Sequence, residues 1–124
     1  MHGFFSSDKK YLTIINNQII ASKKEIIISE EKGIYLNGDD KKKYNILRTS
    51  KRFMMIKYLF ENEMVTSKDL LIFVKDNDLS NLKHTINTIN RLCLEKIELK
   101  NNIIVSLDTG GYKLNRDDYN IKFI

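Results

Sequence analysis

The segment from Ser80 to Lys96, "SNLKHTINTINRLCLEK", constrains the fold more than any other stretch of the chain. Leu82, Ile86, Ile89 and Cys93 recur at i, i+4, i+7 and i+11, which places them on one stripe of a helix. His84, Asn87, Thr88, Arg91 and Glu95 fall on the opposite stripe with Lys83 beside them, and that face is free of acids until its last turn. A helix with one apolar side must bury it against other elements, so the rest of the chain has to supply a core.

The flanking segments supply it. Before "KRFMMIKYLFENEM" stands Thr49-Ser50, a hydroxyl cap, and Phe53, Ile56, Leu59 and Phe60 repeat at helical spacing behind it. A short second helix is predicted over "SKDLLIFVKD", capped by Thr66 or Ser67, with Asp69 favourably placed in its first turn. After the third helix, "IELKNNIIVSLDTGGYKLN" alternates and turns like a β-hairpin with "DTGG" at its tip. Ahead of the helices, "YLTIINN", "QIIAS", "EIIIS", "GIYLN" and "YNIL" read as four or five short antiparallel strands, with "NGDD" as the tightest turn. The tail "RDDYNIKFI" is either a frayed end or a last packed strand.

The expected class is α+β, in one unit over residues 1–124: an antiparallel sheet over about 10–47, a three-helix core over 48–97, a hairpin over 98–115 and a tail over 116–124. A chain of 124 residues has room for one modest core and not for two. Hydrophobic residues at 42% and charged ones at 30% suit a globular protein rather than a disordered one. No run approaches the roughly eighteen apolar residues of a membrane span, and the start "MHGFFSSDKK" lacks the layout of a signal peptide, so a cytoplasmic location is expected.

Several chemistries find no support in the residues. Cys93 is the one cysteine, and His2 and His84 stand far apart, so no metal site is expected. His84 has no acid, nucleophile or second histidine patterned around it, and nothing resembles a phosphate-binding loop, a dinucleotide fingerprint or a nucleophile elbow. No enzyme, cofactor or small-molecule substrate is expected. Lys41-Lys42-Lys43, coming after Asp39-Asp40, reads as a solvated turn whose charges partly cancel. The net charge of +5 permits a polyanionic partner without requiring one.

In order and spacing, these pieces resemble the winged helix-turn-helix effector domains of the OmpR/PhoB type, and most closely the amino-terminal domains of ToxR/CadC-like regulators. In that family an antiparallel sheet precedes three helices, as "YLTIINNQIIASKKEIII" does here. "ILRTSKRFMMIKYLFENEMVTSKDLL" is similar to the family's pair of linked helices, "LKHTINTINRLC" to its third helix, and "GYKL" to its closing Gly-Tyr-Arg/Lys-Leu. The likeness runs from about Tyr11 to Leu114. It implies sequence-specific binding of double-stranded DNA by a bacterial transcription regulator, either a small stand-alone one or the cytoplasmic head of a membrane-anchored one. The recognition helix over about 80–96 would lie in the major groove and the hairpin would act as a wing on the backbone or minor groove.

On that resemblance Asn87 would read adenine, Arg91 would read guanine or hold a phosphate, and Lys83, His84 and Thr88 would position the helix. Lys100 and Lys113 would contact DNA from the hairpin, with Tyr112 packed beneath it and Gly111 permitting its turn. The family also implies RNA polymerase and a second copy of the chain as partners, although the 75–79 loop that would meet the polymerase is short here. Asn90 stands where the family has arginine, and Asp108-Thr109 where it has a basic residue and glycine. Those departures fit an alternative, a winged-helix protein-interaction module without DNA readout.

Overall fold

A computed structural model describes residues 12–15, 18–21 and 23–124; the N-terminal "MHGFFSSDKK" lies outside the described residues. The fold is α+β, with three helices and mixed sheets. The strands are β1 (Leu12–Ile15), β2 (Gln18–Ala21), β3 (Lys24–Ser29), β4 (Gly33–Leu36), β5 (Asp39–Tyr44), β6 (Val65–Thr66), β7 (Ile104–Ser106), β8 (Gly111–Leu114) and β9 (Tyr119–Phe123). The helices are α1 (Lys51–Glu61), α2 (Ser67–Phe73) and α3 (Leu79–Lys96).

The early strands are antiparallel between neighbours, as expected, but they divide between two sheets. β1 pairs with β2, while β3, β4 and β5 form a meander that β9 completes in the order β5-β4-β3-β9. The tail is therefore a packed strand, parallel to β3 from Lys24↔Tyr119 to Ile28↔Phe123. Lys122 reaches Glu25 across this pair at 2.9 Å and, as hydrogen-bond donor, holds that carboxyl below its ordinary range.

Two sequence expectations are corrected in this sheet. The turn is Asn37-Gly38, with Gly38 at φ 91°, so "DDKKKY" is strand rather than turn. The predicted "YNIL" strand ends at Tyr44, and Leu47 is exposed ahead of the first helix. Lysines suit β5 because it is an edge strand, where charge discourages further pairing. Two charges of this strand are paired from outside it, Lys42 with Glu98 at 3.0 Å and Asp40 with Lys32 at 3.5 Å.

Each helix begins on a side-chain cap. The Ser50 hydroxyl accepts from Phe53 N at 3.1 Å, the Thr66 hydroxyl from Asp69 N at 3.1 Å, and the Asp78 carboxylate from Ser80 N at 2.9 Å. α2 stops at Phe73, three residues before the end of the predicted stretch, because Lys75 turns left-handed at φ 57°. There Asp76 N bonds back to Leu71 O and Lys75 N to Ile72 O, the paired closure of a Schellman motif. The turn into α3 is held further by Lys51 of α1, 3.5 Å from Asp76.

The core gathers the apolar side of every element. Ile26, Ile28, Ile34 and Tyr44 meet Phe53, Met55, Ile56 and Leu59 of α1, Leu70 of α2, and Ile103, Ile104, Tyr112 and Leu114 of the hairpin region. Leu82, Ile86, Ile89 and Cys93 are all buried in it, as their spacing predicts. Each such side chain, fully removed from water, contributes about 1.5–3 kcal/mol before the entropy of ordering is set against it. Burial also pushes the Cys93 thiol up to about 12.

Candidate functional site

With its apolar stripe inward, α3 turns Lys83, His84, Asn87 and Arg91 to solvent. Thr88 does not join them. It is buried, and its hydroxyl donates to His84 O at 2.9 Å, so a residue expected on the polar face is spent on its own helix. The stripe opposite the core is therefore narrower than the sequence periodicity alone implied.

The hairpin lies against one flank of α3. β7 and β8 pair from Ile104↔Leu114 to Ser106↔Tyr112, and β8 pairs on its other edge with β6, giving the order β6-β8-β7. Between α3 and β7 runs a cleft of ≈ 310 Å³, walled by Lys83, Ile86 and Asn87 on the helix and by Val105 and Ser106 on the strand, with Asn90, Asn102 and Tyr112 below. Lys83 and Asn87, predicted together, are thus brought together facing the hairpin.

Asn90 forms the junction at the base of this cleft. It is buried, its amide N–H donates to Ile104 O at 2.9 Å, and its carbonyl accepts from Ile104 N at 2.9 Å. Read from sequence as a lost basic contact, it joins helix to strand instead. A signal was present: Asn90 stands four residues after Ile86 and three before Cys93, both on the buried stripe.

The far end of the hairpin is held by α2. Ser67 directs both its backbone N–H and its hydroxyl at Gly110 O, at 3.3 and 2.7 Å. The two glycines divide the work differently from expectation. Gly110 takes the left-handed turn at φ 93°, whereas Gly111 permits close approach, because a Cβ there would collide with Val65 O. Tyr112 is buried beneath the hairpin as predicted.

The remaining basic residues are less concentrated. Lys113 is half-buried on β8 and pairs with Asp117 at 3.5 Å; Arg91 pairs with Glu95 at 3.5 Å. Lys100 is exposed but lines a different depression, with Lys23, Lys24, Asp117 and Asp118, and not the cleft. Sequence placed it on the hairpin, yet β7 begins only at Ile104, after a loop in which Asn101 bonds the Tyr119 hydroxyl. Positive charge along α3 and the hairpin is therefore interrupted by Glu95 and Asp117.

Among the described residues no group of three or more His, Cys, Asp and Glu side chains stands in metal-binding proximity, and no helix is long and apolar enough to cross a membrane. Comparison with protein-family models, with curated proteins and with solved structures gives no match to this chain.

Proposed function

We propose that the chain is a sequence-specific double-stranded DNA-binding domain of a transcription regulator, built as a winged helix-turn-helix. In this reading α2, the Schellman turn and α3 are the helix-turn-helix, α3 is the recognition helix, and β7–β8 is the wing. The observation that carries it is the exposed face of Lys83, His84, Asn87 and Arg91 on a long helix, set beside a hairpin across an open polar cleft. A helix of this width enters the major groove, where an Asn amide matches the donor and acceptor of adenine and an Arg those of guanine. The wing then meets the adjacent backbone through Lys113.

Thr88 has no part in this contact, and Lys100 reaches only a flanking phosphate if the duplex extends past the hairpin. RNA polymerase and a second copy of the chain are the further partners of this reading, carried by the sequence resemblance alone. The test is selection from a random duplex library by the purified protein. Enrichment of a defined sequence that Asn87→Ala relaxes supports the proposal; a library that stays random after repeated rounds contradicts it.

One observation favours a second reading, a protein-interaction module on the same frame. Glu95 and Asp117 each sit against a basic residue that would otherwise face phosphate. In that case folded protein would fail to bind duplex even at low salt.

A further inference from the structure

The hairpin is fastened to the helices at two points, by the side chain of Asn90 at its root and that of Ser67 at its tip. At its root, Ile104 presents an N–H and a C=O to Asn90. β7 has a strand neighbour, β8, on one side only, so the Asn90 amide occupies the place of a further strand on the other. At its tip, Gly110 O receives two donors from Ser67. Asn90 follows Asn87 by three residues and Lys83 by seven, so the same helical face that walls the cleft also holds its floor.

We infer that Asn90 and Ser67 are positioning residues that lock the hairpin to α3 and α2, so that helix and hairpin meet the duplex as one rigid body. This rests on the DNA-binding reading and adds to it the source of discrimination between sequences. Two contact elements joined rigidly pay the ordering cost once, in folding, and a misfitting sequence cannot be accommodated by swinging one of them away. Neither residue needs to touch DNA. Binding to arbitrary duplex depends on the number of phosphates neutralised and is indifferent to this lock.

The test uses the full chain, a duplex of the selected sequence and a duplex of scrambled sequence. Affinities for both are measured at one salt concentration, with amide exchange at Ile104 followed in parallel. Asn90→Leu, confirmed folded by circular dichroism, is expected to lose Ile104 protection. It should lower the ratio of selected to scrambled affinity roughly tenfold while changing scrambled binding less than about twofold. Ser67→Ala should lower the ratio roughly threefold, and Ser67→Thr, which keeps the hydroxyl, should restore it; this pair carries the test should Asn90→Leu fail to fold. A wild-type protein that discriminates, alongside folded Asn90→Leu and Ser67→Ala proteins that discriminate equally well, overturns the inference and leaves the DNA reading standing. A wild-type protein that binds neither duplex overturns both.

Discussion

Replacing Asn90 by leucine should destabilise the protein far more than the same change three residues earlier. Asn90 and Ile104 are both buried, and their two reciprocal bonds at 2.9 Å satisfy an N–H and a C=O of the edge strand that has no strand partner on that side. Leucine has the same branching and number of heavy atoms as asparagine, so no cavity arises; what remains is a stranded donor and a stranded acceptor on Ile104. Each costs about 1–3 kcal/mol when buried without a partner, partly offset by the extra apolar burial of leucine, for a net loss of about 3 kcal/mol. For a chain of this length that is a fall in Tm of roughly 10 °C. Asn87→Leu, on the exposed face, should stay within about 0.5 kcal/mol of wild type. Urea unfolding followed by circular dichroism measures both, with unchanged m-values confirming that the same surface is exposed. Equal midpoints for the two variants would refute the reasoning, since Asn90 would then be no more committed than a surface amide.

Three further outcomes follow from local geometry. Gly111→Ala should cost about 2–3 kcal/mol in thermal unfolding, because its Cβ would strike Val65 O and force β6 from β8. Lys75→Gly should stabilise by about 0.5–1 kcal/mol in urea titration, since φ 57° strains a lysine and not a glycine while the closing bonds use backbone alone. Burial raises the Cys93 thiol to about 12 from an unfolded value of 9.0, so its contribution is complete below pH 9 and is lost as pH climbs from 9 through 12. The wild type should therefore lose stability relative to Cys93→Ala by roughly 1.4 kcal/mol per pH unit across that window, and its thiol should resist a disulfide reagent at pH 8 until urea unfolds it.

What could be read from sequence depended on whether a residue's role lies in its own element or in a distant one. The α3 stripe of Leu82, Ile86, Ile89 and Cys93 and the caps at Ser50 and Thr66 are local, and each stands where its pattern puts it. β9 was undecided because its partner, β3, lies some ninety residues earlier, although Tyr119, Ile121 and Phe123 carry the alternation of a strand. The lysines of β5 read as a turn because edge position, which makes them suitable there, is a property of the whole sheet. Thr88 and Asn90 show the same limit at the candidate site: polarity placed one outside and left the other unused, yet both are buried by packing that no helical wheel includes. Gly110 and Gly111 are adjacent and chemically identical, and only the approach of β6 separates turn from close contact.

The central claim is that the exposed side of α3 binds duplex DNA through its charges and amides. It is tested most directly by titrating salt against binding of labelled duplex, followed by fluorescence anisotropy, for the wild type and Arg91→Ala. The account predicts binding that weakens linearly in log–log form, with a slope of about −0.9 per neutralised phosphate, weaker binding by Arg91→Ala and a slope shallower by about one phosphate. Folded wild-type protein that fails to bind at the lowest salt, or binds with a slope near zero that Arg91→Ala leaves unchanged, would contradict it.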